Sequence, residues 1–351
     1  MIELITDRAE WKNAISLLSH YDFYHTYSYH ELSKKEDESP MMIKYRNGKD
    51  YVLLPLLLRP IIGTKFSDAT SVYGYAGSLF GGEIEQFDNS TFRKELEEYF
   101  RSNDIVTVFS RLHPYIDYQQ SVLIGIGEIK NPGNVVNIDL TLPTEIQRQG
   151  YSGRLKTYLN KARKSCSVYR GTTDDDIQLF IKLYHENMQR VNANSSYFFE
   201  ERYFYKLMLS PDFETELLLC KLITTNEVIG GAIFIKTNNI VQYHLSGSTA
   251  EYLHLGAVKL IIDEMRIRAT EQKYRYFNLG GGKANREDSL FAFKASFSKN
   301  LRPFKLWKYV VDQDIYESLI ERELQRVRDT MTDADLEYFP AYRILPQITV
   351  K

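Results

Sequence analysis

Only two cysteines occur in 351 residues, Cys166 and Cys220. That is too few for a disulfide framework or a paired-cysteine metal site, and it fits a reducing compartment. Strong charge of one sign is also missing. With a net charge of −2, no global basic field advertises nucleic acid or an anionic membrane, so a polyanionic partner has to be held by a local patch, and no DNA partner is expected. Long apolar runs are absent as well: the richest stretch, "YVLLPLLLRPII", holds Arg59 and two prolines and is too short to span a bilayer. The opening "MIELITDRAEWKNAIS" lacks the basic and apolar regions of a signal peptide, so a cytoplasmic protein is expected. His20, His25 and His30 stand five apart, which puts them on no common helical face and argues against a metal cluster.

Aromatics are plentiful, and the 26 Tyr outnumber the 19 Phe. The length exceeds one typical domain, and the two halves share an order of elements. Each has an amphipathic start, a strand-turn-strand unit, a Y-x-x-x-G-S pattern (Tyr73/Gly77/Ser78 and Tyr243/Gly247/Ser248), a helix and one further strand. A duplicated α/β (α+β) module with a mixed, mainly antiparallel sheet is expected. The modules are read as residues 1–134 and 135–312, with a C-terminal helix and tail at 313–351.

Candidate chemistry concentrates in the second half. "FNLGGGKANREDSLFAFKASFS" (277–298) resembles a phosphate loop at first sight. A Walker A motif needs glycine where Phe277 stands and Ser or Thr where Ala284 stands, and the dinucleotide fingerprint needs glycine at Asn285, so both fail. What remains is a glycine loop, Gly280, Gly281 and Gly282, followed by a short helix carrying Lys294 between phenylalanines. A fixed cation there can stabilise a developing oxyanion, or the lysine is simply salt-bridged on a surface helix. Asp288 and Glu287 are near enough in sequence to partner it or to compete with it for the role.

Three other segments stand out. The helix "GRLKTYLNKARKSC" carries Arg154, Lys156, Lys161, Arg163 and Lys164 around one apolar stripe with no acid to balance them; this is either a solvated face or a phosphate site. Gly256 precedes the helix "AVKLIIDEM", whose first N–H groups can hold an anion. In the strand before it, alternation places Tyr243, Leu245 and Gly247 on one face and His244 and Ser246 on the other. His244 is either a general base or a packed, hydrogen-bonded histidine.

Together, "YHLSGSTAEYLHLGA", "FNLGGG" and "SLFAFKASFS", with "NIDL" and "GRLKTYLNKARKS" ahead of them, resemble the Fem family of peptidoglycan-bridge aminoacyltransferases and the related FemAB-like (BioF2-like) acetyltransferase domain. The resemblance covers most of the chain and is strongest over residues 135–305. It implies tandem modules of acetyltransferase-like (GNAT-like) fold. It also implies acyl transfer from aminoacyl-tRNA to an amine on a cell-wall precursor, with no metal and no tightly bound cofactor. By motif, Phe293 and Lys294 match a pair that contacts the acceptor and steadies the transition state, Tyr243 matches a site tyrosine, and Arg190 an acceptor-binding arginine. Two departures are visible: Leu245 stands where the family has a second tyrosine, and "TYSYHELSKKED" lacks a Trp-x-x-x-Lys. The expected partners are a cell-wall or saccharide precursor, tRNA at a basic patch that includes Lys161 and Arg163, and a lipid-linked substrate met peripherally. The alternatives are an acyl-coenzyme A donor, for which the lone Gly256 is a poor match to the glycine-rich pyrophosphate loop of coenzyme A acetyltransferases, and a non-catalytic binding module.

Overall fold

The computed structural model describes residues 1–326 and 338–343. It divides into two compact units, Met1–Pro132 with Phe304–Lys351, and Gly133–Pro303.

The first unit holds strands β1 (Ile2–Ile5), β2 (Ser39–Asn47), β3 (Asp50–Pro60), β4 (Ser67–Thr70), β5 (Leu79–Gly81) and β6 (Ile105–Arg111). Its helices are α1 (Arg8–Ser16), α2 (Tyr27–Ser33), α3 (Ser90–Ser102) and α4 (Gln119–Val122). The chain enters the second unit within β7 (Glu128–Asp139) and continues through α5 (Thr144–Gln149), α6 (Gly153–Ser165), β8 (Cys166–Gly171), α7 (Asp174–Arg190) and α8 (Glu201–Met208). There follow β9 (Glu214–Leu222), β10 (Val228–Thr237), β11 (Ile240–Ser248), α9 (Ala257–Glu271), β12 (Tyr276–Gly280) and α10 (Ser289–Ala295). Strand β13 (Asn300–Val310) leads back, and α11 (Gln313–Arg326) closes the continuous described chain.

The duplication is plain in the strand pairing. In the first unit β1, β2, β3 and β4 form an antiparallel meander, β4 then pairs in parallel with β6, and β6 pairs antiparallel with β13. In the second, β8, β9, β10 and β11 repeat the meander, β11 pairs in parallel with β12, and β12 pairs antiparallel with β7. A helix precedes the parallel strand each time, α3 before β6 and α9 before β12, because parallel neighbours need a crossover. The Y-x-x-x-G-S pattern, by contrast, sits in unlike structure. Gly77 has φ +69° in a loop after β4, whereas Gly247 lies within β11.

The grouping of residues differs from the sequence reading at the C-terminal side. Residues 304–312 go with the first unit, because β13 pairs there with β6. The described part of the expected helix and tail also packs there, with Leu319 and Tyr342 buried against Val106. The remainder, 327–337 and 344–351, lies outside the described residues. Among the described residues, no helix is long and apolar enough to cross a membrane.

The core of the second unit lies between the sheet and helices α6 and α9. Leu155, Leu159 and Ala162 of α6 meet Ile261, Ile262 and Met265 of α9 over Phe234, Val241, Phe277 and Leu279. Each fully buried Leu or Ile contributes roughly 1.5–3 kcal/mol. The other face of β10 and β11 is covered by α7, whose backbone comes so close that a Cβ on Gly247 would stand 2.4 Å from the Leu183 carbonyl oxygen. Gly247→Ala therefore has to push α7 off the sheet. Urea unfolding should show a loss of about 1–3 kcal/mol, and an unchanged midpoint would mean that the helix yields freely.

Candidate active site

Strands β11 and β12 pair over three positions only, Ile240, Val241 and Gln242 against Tyr276, Phe277 and Asn278. Beyond this rung both strands bulge. In β11, Ile233 and Phe234 of the partner strand face Leu245 and Tyr243, so one step in β10 matches two in β11. In β12, Asn137 and Val136 of β7 face Asn278 and Gly280, again one step against two. A bulge bends its strand and interrupts the ladder, so two adjacent bulges part the strands here.

The β11 bulge overturns the expected alternation. Tyr243 and Ser246 come to one face, where their hydroxyls hydrogen-bond. Gly247 faces α7, and His244 reaches the Tyr203 hydroxyl at 3.1 Å. Burial raises the Tyr243 hydroxyl to about 12 and lowers His244 to about 4, so at neutral pH the tyrosine keeps its proton and the imidazole is uncharged.

Past its bulge β12 ends in the glycine loop. Gly280 adopts φ +79°, a left-handed conformation that costs glycine little. Its N–H donates to the Asn278 side-chain oxygen at 2.9 Å, so this group is engaged within the loop. The Gly281 carbonyl accepts from Lys294 Nζ at 2.7 Å. Lys294 is 9 % exposed, and burial lowers its pKa to about 8, with the charge of Asp288 opposing the shift. Asp288 does not pair with the lysine: it caps α10, accepting from the Phe291 N–H at 2.9 Å and the Lys283 N–H at 3.1 Å. Gly282 leads into this turn, and Lys283 is exposed.

Next to Lys294, Phe293 lies half-buried against the core with the Lys259 ammonium 5.5 Å from its ring centroid. Lys259 also stands 4.9 Å from the Tyr158 ring of α6, and Arg154 donates to the Tyr158 hydroxyl at 3.5 Å. Burial lowers the Lys259 pKa, with the field of Tyr158 acting against it. Arg154, Lys161 and Lys259 form no ion pair with an acid among the described residues. Gly256, left-handed at φ +69°, opens α9 beside them with no side chain capping the helix.

Arg163 departs from expectation. It pairs with Asp263, a fully buried carboxylate that also accepts from Tyr151 at 2.7 Å and from Arg266 at 3.0 Å. Burial alone would raise the Asp263 pKa, but Arg266, Tyr151 and Arg163 more than offset it. The basic helix thus does have an acid, one turn beyond Lys259 on α9, and Arg163 belongs to the anchor between α6 and α9. Arg190 ends α7, exposed, and donates to Asn187 of its own helix. The structure therefore brings together Lys294, Phe293 and the glycine loop, adds Lys259, Tyr158 and Asn278, and assigns Arg163 to the scaffold. Lys259 and Asn278 escaped the sequence reading because a lone lysine or asparagine in an apolar element carries no motif.

Residues 149–294 match the family model described as an acetyltransferase (GNAT) domain. No curated protein matches the sequence. Among solved structures, FemX aligns with a TM-score of 0.69 at 13% identity, covering 90% of this chain and 99% of its own. The C-terminal domain of a putative lysylphosphatidylglycerol synthetase from Agrobacterium fabrum aligns at 0.55 and 16% identity, covering 91% and 97%. A conserved protein of unknown function from Bacteroides thetaiotaomicron aligns at 0.57 and 12% identity, covering 88% and 100%. With paired modules of one topology and the acetyltransferase domain falling on the second, where the two strands part, the second module is a GNAT-type acyltransferase domain and the chain as a whole has the fold of FemX.

Proposed function

We propose that the protein forms an amide on an amine of a cell-envelope precursor of peptidoglycan type, with aminoacyl-tRNA as the donor. The fold it shares with FemX, and with a domain whose name couples lysine to phosphatidylglycerol, supports the envelope acceptor. The observation that carries the donor reading is the unbalanced cation row. Arg154 and Lys161 lie seven residues apart on α6, about 10 Å along the helix, and Lys259 and the uncapped start of α9 adjoin them. Such a row suits several phosphates in succession, as at the end of a polynucleotide.

In this reading the acceptor amine attacks the ester carbonyl. The C–N bond forms, the C–O bond to the ribose breaks, and the proton lost by nitrogen passes to the leaving oxygen. Lys294, held at the loop by Gly281, offsets the charge on the carbonyl oxygen, and the protonated Tyr243 hydroxyl orients the acyl group with Ser246. Phe293 supports Lys294 from the side of Lys259, and Arg190 is offered to the acceptor at the end of α7. Such a protein works in the cytoplasm and meets a lipid-linked acceptor peripherally.

One observation favours an acyl-coenzyme A donor instead, the match to the acetyltransferase family model. Calorimetric titration separates the two: micromolar binding of coenzyme A selects this second donor, and its absence leaves the charged tRNA.

Three outcomes are expected. Lys294→Ala should lower turnover by about two orders of magnitude or more while the fold persists; unchanged turnover removes the role. Because Lys294 has to be protonated to act and its pKa lies at about 8, the wild-type rate should fall as pH rises through that value. That limb should vanish in Lys294→Ala, whereas a rate that rises through pH 8 because of Lys294 would make it a base. Lys161→Ala should leave stability within about 0.5 kcal/mol and reduce the salt slope of tRNA binding by roughly 0.7–0.9. Arg163→Ala should instead lower stability by about 1–3 kcal/mol, and equal behaviour of the two variants would refute the division between them.

A further inference from the structure

The glycine loop owes its shape to a residue outside the acyl-transfer roles given above. Asn278 occupies the last rung before the strands part, with Gln242 beside it on β11 and Asn137 opposite on β7. It is 1 % exposed. Its side-chain oxygen spans the β12 bulge to accept the Gly280 N–H, replacing the ladder bond that the bulge interrupts. Its side-chain amino group makes no hydrogen bond among the described residues, so the acceptor is what this side chain contributes. One residue further on, the Gly281 carbonyl takes the Lys294 ammonium. Two hydrogen bonds thus connect Asn278 to Lys294 through the Gly280–Gly281 backbone, which turns at the left-handed Gly280.

We propose that Asn278 is the positioning residue for Lys294: by holding Gly280 across the β12 bulge it aims the Gly281 carbonyl, and that carbonyl fixes the ammonium at the mouth of the parted strands. This rests on the reading of Lys294 given above, but its structural half does not require the reaction. Replacement by leucine keeps the bulk and removes the acceptor, so the loop loses its hold and Lys294 meets solvent. Aspartate keeps an acceptor in the same place. The charged group whose field reaches Lys294 is Asp288, which caps its own helix; Lys259 of α9 stands over the ring of the neighbouring Phe293.

The test compares wild type, Asn278→Leu and Asn278→Asp, each checked for a cooperative melt. The first readout is the Lys294 titration by NMR of lysine-labelled protein. The wild type should titrate at about 8, and Asn278→Leu should move at least about one unit toward the ordinary lysine value. The second readout is turnover. Asn278→Leu should lose about tenfold or more in kcat with little change in the KM of the acceptor, and Asn278→Asp should restore most of it. An unmoved Lys294 titration in a folded Asn278→Leu protein overturns the proposal, as does an equal kcat loss in both variants. A titration that moves while kcat stays constant upholds Asn278 as the holder of Lys294 and rejects Lys294 as a participant in the reaction.

Discussion

Three rungs of parallel pairing are all that join β11 to β12, and the site depends on where that pairing stops. Just past it each strand inserts an extra residue against its other neighbour, His244 in β11 and Leu279 in β12, and the ladder between them stops. A backbone polar group left unpaired inside a protein has to find another partner. In β12 the Gly280 N–H finds the Asn278 side chain, and the Gly281 carbonyl finds Lys294. The buried lysine is thus a consequence of the broken ladder, and its lowered pKa follows from its burial.

A second constraint lies behind this one. Helix α9 carries Lys259 and the uncapped start, and its place is fixed by Asp263, a buried carboxylate gripped by Tyr151, Arg163 and Arg266. Removing one member of such a group leaves charge without a partner in a low-dielectric interior, which is costly. Arg163 is therefore occupied, and the cations without an acid among the described residues are those nearer the first turn of α9 and along α6. A single aspartate thus sets Arg163 apart from the other cations of α6.

Much of this was legible in the sequence. The order of elements points to the duplication, which the antiparallel meander and the parallel strand after it repeat in both units, and the apolar stripe of α6 points to the core. Lys294, picked out by its place between phenylalanines, is buried, whereas Lys283 beside the glycines is exposed. The failures have a common cause, since each required a contact distant in sequence or a departure from a regular period. Alternation cannot reveal a bulge, so Ser246 was assigned to the face opposite Tyr243. Composition cannot pair Arg163 with a carboxylate a hundred residues away. The Y-x-x-x-G-S pattern suggested equivalent residues where the structure has a loop in one unit and a strand in the other, although the duplication it pointed to is real.

The most direct measurement is mass-spectrometric detection of transfer in a single turnover. Wild-type and Lys294→Ala proteins would each be mixed with charged tRNA, or separately with acetyl-coenzyme A, and with a peptidoglycan-type precursor bearing a free amine. An aminoacylated precursor that forms with charged tRNA and wild-type protein, and is nearly absent with Lys294→Ala, is the expected result. Product from acetyl-coenzyme A alone, or equal product from both proteins, would be incompatible with it.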